Sequence, residues 1–365
     1  MSALVTTLTE TLRYRGAIGQ WSWLLHRISG LGVVVFLLIH VIDTSWAVFY
    51  PRLYEEAIAV YQTPLFTIGE FLLIACVVYH AYNGLRIVIL DYKPRLWRYQ
   101  QKAARYVLLA TAITLIPVFI LMLGHVVNYY DSDPTLLGLG DVVNSLLPFL
   151  LGIVAAIIAA LVLSVLTGAI AKDGARANQP KTGSNTERFW WSFMRISGLL
   201  ILPLVFGHLA VMHVLQGVFD ISVQNAAIVG TSVSNASGTA VEFAGARWDE
   251  LVLGIKIWRV YDIGLLAFAV LHGANGLRYV LTDYTMSNKT LRRAAVYVCV
   301  IGALVLLLVG GGALIQSAES TAVDMALEAR AELGLEIRVD DESEAEKAAP
   351  STEEESSEDE SASDS

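Results

Sequence analysis

YHAYNGLRIVILDY at residues 79–92 and LHGANGLRYVLTDY at 271–284 are two versions of one pattern: a histidine, then Asn-Gly, Leu-Arg and a closing Asp-Tyr. Upstream of each, RISGLG at 27–32 recurs as RISGLL at 195–200, and the residue thirteen places after each of these arginines is again a histidine. The chain therefore carries an internal duplication with His40 and His208 at one equivalent position and His80 and His272 at another. All four sit in stretches without Asp, Glu, Lys or Arg, where an ionisable side chain is costly and needs a partner.

The surrounding composition says what those stretches are. Of 365 residues, 55% are hydrophobic and only 16% charged, with a mean hydropathy of +0.56, too apolar for a water-soluble domain of this length. Uncharged stretches fall at 28–42, 71–85, 106–130, 142–171, 196–219, 263–277 and 294–318. A bilayer core takes about 20 helical residues, and the three shorter stretches reach that once flanking residues snorkel. Seven transmembrane helices are expected, and short buried core helices of a soluble protein are the lesser alternative.

Orientation follows from the cations. Alternate connections carry 18 Lys and Arg residues on one side and four on the other, Arg52, Arg247, Lys256 and Arg259. The rich side is cytoplasmic, which puts the N-terminus inside and the segment after the last span outside, in a multi-pass protein of the cell's inner (plasma) membrane. The polar first 20 residues lack a signal-peptide pattern, so retention of the N-terminus is expected. The net charge of −9 comes from the tail: residues 319–365 hold 17 of the 34 acidic residues and three basic ones, leaving +5 for residues 1–318. Its low apolar content makes disorder the expectation for 319–365.

Two three-helix units of the same orientation can be joined only if one extra helix returns the chain to the first side, and 142–171 is that helix. The expected fold is an all-α transmembrane seven-helix bundle of two parallel repeats, 1–130 and 188–318, with the extra helix in a linker at 131–187.

At 1.5 Å per residue, His40 lies roughly 20 Å beyond Arg27, and His80 roughly 9 Å before Arg86. The second repeat has the same depths, so His80 pairs with His272 toward the cytoplasm and His40 with His208 toward the outer side. Neutral imidazoles facing each other at one depth suit a low-spin haem iron held by two histidines. Gly84 follows His80 by four residues and Gly276 follows His272 by four, each leaving a gap on the ligand's face, for a porphyrin edge or a helix-packing notch. Arg27, Arg86, Arg195 and Arg278 lie toward the cytoplasmic ends, within reach of haem propionates, as does His26. His125 and His213 have no repeat partner; His213, five residues past His208, is turned away from it on an α-helix and is the rival fourth ligand. Cys76 and Cys299 alone make no iron-sulfur site. Nucleic acid is not an expected partner.

With these residues in view, LHRISGLG, a deep His and YHAYNGLRIVILDY resemble the cytochrome b large anchor subunit of succinate dehydrogenase, and LHGANGLRYVLTDY resembles the small anchor subunit. The chain looks like both anchors fused. The resemblance implies a haem b-containing anchor that docks an iron-sulfur subunit and a flavoprotein subunit on the cytoplasmic face and passes electrons from succinate to a membrane quinone. It implies His80 and His272 as axial ligands of the haem nearer the iron-sulfur protein and His40 and His208 as those of a second haem. It also implies Arg27 and Tyr284 at the quinone, with Asp283 adjoining. Where some members carry a Ser, three residues before the His-Arg step, this chain has Trp23, with Ser22 and Ser29 nearby.

Quinone reduction consumes two electrons and two protons, so its site belongs near the aqueous boundary with donors at the carbonyl oxygens. Arg27, Ser29 and Tyr284 occupy that zone and Asp283 can relay protons, although tyrosines also anchor interfaces. Two stacked haems favour menaquinone. The anchor of a quinol:fumarate reductase has the same signature, a single haem with His40 and His208 bonded to each other is a reduced version, and a two-repeat transporter is the alternative from another class.

Overall fold

The computed structural model describes residues 16–130, 185–286, 288–316 and 320–339. It is helical almost throughout. Long helices α1 (Ile18–Phe49), α3 (Pro64–Tyr92), α4 (Gln100–Tyr130), α5 (Asn185–Leu209), α7 (Ile257–Tyr284) and α8 (Lys289–Ile315) form the bundle. A short 3-10 turn, Pro94–Tyr99, leads into α4. Short helices α2 (Pro51–Tyr61), α6 (Ala240–Asp249) and α9 (Ser320–Glu332) lie outside it, with strands β1 (Val223–Gln224) and β2 (Arg338–Val339) paired in parallel.

Six spans among the described residues are long and apolar enough to cross a membrane. Their large side chains face outward, among them Val35, Ile39, Leu109, Ile113, Val300 and Leu308. None of the described residues covers that surface, and acyl chains can do so without any polar backbone being exposed, because each helix satisfies its own amides. The expected seventh helix, 142–171, lies outside the described residues, as does the linker at 131–187 except for residues 185–187.

Close approach inside the bundle depends on small residues, since lipid is as apolar as leucine and gives no hydrophobic drive. A Cβ at Gly310 of α8 would stand 2.8 Å from Val41 Cγ1 and 2.9 Å from Leu266 Cδ2, so this glycine seats α8 against α1 and α7. A buried network fixes α1 on α3: the Ser22 hydroxyl donates to Asn83 Oδ1 at 2.8 Å, and the Tyr79 hydroxyl donates to the Ser22 carbonyl at 3.1 Å.

One end of the bundle carries a folded cap. Its core joins Tyr54 and Ile58 of α2, Val241, Phe243 and Trp248 of α6, Ile228 of the intervening loop and Ala326 of α9. Disorder was expected over 319–365, and for residues 320–339 the structure differs. Ala322, Ala326 and Ala329 form a small-residue stripe on α9 that is buried in the cap. Arg330 Nη1 donates to Glu55 Oε2 at 3.0 Å, with side chains 5% and 0% exposed. Glu55 Oε1 accepts from the Val241 N–H at 3.1 Å. Burial pushes the Glu55 carboxyl up from its ordinary pKa, against the pull of the Val241 amide and Arg330.

Candidate functional site

A cavity of about 460 Å³ runs along the bundle, and His26, His40, His80, His208, His213 and His272 all line it. Two layers of imidazoles stand in it. In the layer nearer Arg27, the His80 and His272 ring centroids are 6.5 Å apart with ring planes at 86°. In the layer nearer the cap, His40 and His208 are 6.1 Å apart at 73°. Two imidazoles on opposite faces of one metal, each bonded at about 2.0 Å, put their ring centroids roughly 6 Å apart. Both spacings meet that requirement.

The tautomers of the first layer are set by its neighbours. The His80 Nδ1–H donates to the carbonyl of His26 at 3.2 Å. The Ser197 hydroxyl spends its proton on the Phe193 carbonyl at 2.6 Å, so its oxygen accepts from His272 Nδ1–H at 2.9 Å. In both rings Nε2 keeps its lone pair, as a metal ligand needs. Glycines of the repeated RISG make room: a Cβ at Gly30 would sit 2.8 Å from His80 Cε1, and one at Gly198 would sit 3.4 Å from His272 Cε1. Gly84 and Gly276 also line the cavity, but they face His26 and Met194, whose terminal carbons would lie 3.7 and 3.8 Å from an added Cβ. His26 stacks on His80 at 4.0 Å with ring planes 7° apart.

Among the described residues, no group of three or more His, Cys, Asp or Glu is arranged to hold a bare metal ion. Two nitrogens leave an iron four ligands short, and a planar macrocycle that brings four nitrogens of its own completes the set. The residues therefore fit a bis-histidine haem at each layer: facing imidazoles, free Nε2 atoms in the first layer, glycines beside the rings and an apolar wall.

The arginine end is built on an exchange. Arg27 of α1 pairs with Asp283 of α7. Its sequence counterpart Arg195 of α5 pairs with Asp91 of α3, the counterpart of Asp283, at 2.6 Å. Each arginine also covers an indole, Arg27 over Trp23 at 4.2 Å and Arg195 over Trp191 at 3.8 Å. The quinone residues expected from sequence thus divide. Arg27 and Asp283 meet, and Tyr284 is exposed beside them at the end of α7. Ser29 is buried and its hydroxyl already donates to the His26 carbonyl at 3.1 Å, so it does not join them. Of the expected propionate contacts, Arg195 is committed to Asp91, and Arg278 donates to Glu187 at 3.1 Å and to Asn275 at 2.9 Å. Arg86 Nε and Nη1 and His26 Nδ1 are buried without a partner.

At the cap end the helical geometry changes. After Leu209, α5 continues as a π-helical turn, Ala210–Leu215. The i→i+5 bonding of a π turn brings residues five apart onto one face, and His213 lies 5.3 Å from His208 and 6.2 Å from His40. His213 Nδ1 stands 2.5 Å from Glu70 Oε1. The sequence reading placed His213 off this face because it assumed an α-helix. It also passed over two acids, Glu70 and Asp262, which stand ten residues before His80 and His272 respectively. That spacing was a usable signal. His125 is occupied elsewhere, between the Val214 carbonyl and Asp220, each at 3.0 Å.

A family model described as succinate dehydrogenase/fumarate reductase transmembrane subunit matches residues 8–121 and 173–310. The succinate dehydrogenase 2 membrane subunit SdhC of Mycobacterium tuberculosis is 38% identical over 106 residues, which are 28% of this chain and 78% of that protein. No solved structure matches. With its apolar helices, paired histidines and matched stretches, the chain belongs to the family of succinate dehydrogenase/fumarate reductase transmembrane subunits.

Proposed function

We propose that the chain is the di-haem b anchor of a succinate:quinone oxidoreductase, in which His80 and His272 hold one haem and His40 and His208 a second. The observation that carries this is the pair of imidazole spacings, 6.5 and 6.1 Å, in one cavity. Bound there, haem supplies one-electron transfer along the bundle axis.

In this reading the arginine end faces the cytoplasm and docks the iron-sulfur and flavoprotein subunits, with succinate oxidised on the latter. Residues 1–130 and 188–318 act as large- and small-anchor halves in a seven-helix bundle closed by the extra helix of 131–187. The quinone, menaquinone by preference, binds where Arg27, Asp283 and Tyr284 converge. The Arg27 guanidinium keeps the Asp283 carboxylate oriented, the Tyr284 hydroxyl donates to a quinone carbonyl oxygen, and Asp283 passes protons from the aqueous boundary to the reduced oxygens. Trp23 lies under the Arg27 guanidinium and helps hold it in place, while the Asp283 carboxylate stays half exposed. Arg86 and His26, both with unpartnered buried nitrogens, are the propionate contacts of the first haem.

The test is a reduced-minus-oxidised spectrum with haem counting by pyridine haemochrome on the purified complex. Two haems b per chain are expected. One haem removes the capped-end pair from the proposal, and none removes the function.

A further inference from the structure

The two layers differ in what stands behind the rings. In the layer nearer Arg27, both Nδ1 atoms meet neutral acceptors, the carbonyl of His26 and the hydroxyl of Ser197. In the capped layer, His208 Nδ1 faces a carboxylate oxygen, Asp262 Oδ1, at 3.9 Å. That is too long for a hydrogen bond, yet both atoms are buried and neither has another partner. A buried donor and a buried charge left in this state are expensive, and a small rotation of the ring brings them together.

Asp262 is held for this role from the other side. Its Oδ2 accepts from Arg247 Nη1 at 2.6 Å and from Trp248 Nε1 at 3.0 Å, both on the cap helix α6. Gly207, the residue before His208, lets Tyr261 close onto α5: a Cβ there would meet the Tyr261 hydroxyl oxygen at 2.7 Å. That contact seats Asp262, the next residue, against His208. The equivalent acid of the first repeat, Glu70, is engaged by His213.

Resting on the reading of His208 as an axial ligand, we infer that Asp262 is a positioning residue that orients His208 through Nδ1 and lowers the midpoint potential of the capped-end haem below that of the other. A carboxylate acceptor gives the imidazole partial imidazolate character, which stabilises ferric over ferrous iron; neutral acceptors do so less. The cap thus takes part in setting an electron-transfer potential, because Arg247 and Trp248 fix the carboxylate.

The experiment is a potentiometric titration of the whole complex, with haem counting and low-temperature EPR, for wild type, Asp262→Asn, Asp262→Glu and Glu70→Gln. Two haems in Asp262→Asn, with one midpoint shifted upward, altered g values for that haem and the other haem unmoved, are expected; Asp262→Glu restores the low potential. If Asp262→Asn sheds one haem, retention of both in Asp262→Glu supports the inference, and loss in both variants overturns it. Two haems with neither midpoint moved in Asp262→Asn also overturn it. So does a shift in Glu70→Gln alone, which would make His213 the ligand. Fewer than two haems in the wild type would overturn the di-haem reading itself, and with it this inference.

Discussion

Arg195 holds Asp91 through two nitrogens, Nε at 3.1 Å and Nη2 at 2.6 Å from the same carboxylate oxygen, and so joins the helix of one repeat to that of the other. Its counterpart, Arg27 with Asp283, makes the same exchange in reverse, but there the carboxylate is half exposed while Asp91 is 18% exposed. One pair is a brace and the other is open to a ligand. Asp283→Asn should therefore cut succinate-to-quinone turnover on the order of 10²-fold while succinate oxidation with a soluble dye persists. Asp91→Asn should leave quinone turnover near wild type and destabilise the complex by about 1–3 kcal/mol. Equal losses of turnover in the two variants would remove the distinction.

The glycines of the RISG repeat make a sharper prediction. Gly30→Ala forces a Cβ to 2.8 Å from His80 Cε1, whereas Gly198→Ala adds one at an ordinary 3.4 Å from His272. The first variant should lose one haem, read as a halved pyridine haemochrome signal. The second should keep both. Haem retained in Gly30→Ala would mean that His80 is not fixed as an axial ligand.

At the capped layer, distance alone does not separate His208 from His213, at 6.1 and 6.2 Å from His40. Repeat register does, so His208→Ala should lose a haem and His213→Ala should retain two. The reverse result would transfer the ligand role to His213.

Much of this was legible in the sequence and some was not, for physical reasons. Six of the seven expected spans and the pairing of the four histidines follow from charge-free runs and a duplicated motif, both long-range patterns that local conformation does not blur. The face of His213 was illegible because it depends on a six-residue π turn, and single sequences carry no strong signature for one. The order of residues 320–339 was missed because composition was averaged over 319–365, where the acidic remainder outweighs the alanines whose small size lets α9 lie close. Ser29 looked available from its depth, but a helical serine can turn its hydroxyl to a carbonyl of the preceding turn, and this one does. The exchange of Arg27 and Arg195 between repeats could have been anticipated from the equivalent positions of Asp283 and Asp91.

Removing one partner of the buried Glu55–Arg330 pair leaves an uncompensated charge, a loss of about 3–5 kcal/mol. Arg330→Ala should free α9 and expose the tail to added protease, while Glu55→Gln, still able to accept a hydrogen bond, should be milder. Unchanged cleavage in Arg330→Ala would show that the alanine stripe alone holds the helix.

The cap also has an acid limit. Glu250 accepts from the amide and hydroxyl of Ser232 and from Trp258 Nε1, and these donors hold its pKa below the ordinary value of 4.5. A depressed folded pKa means that its contribution is complete above the unfolded value and is lost as pH falls through the folded one. The protection factor of the Ser232 amide, its exchange corrected for the intrinsic rate at each pH, should fall below pH 4.5 in the wild type, and Glu250→Gln should flatten that dependence.

The clasp between Glu55 and Arg330 spans 275 positions of chain. A ribosome delivers the acid 275 residues before the base, which follows the six described spans, so Glu55 waits without its counter-ion while five of those spans are made. The capped mouth of the bundle therefore shuts only after the described spans are in place, and it stands open while the interior is being furnished.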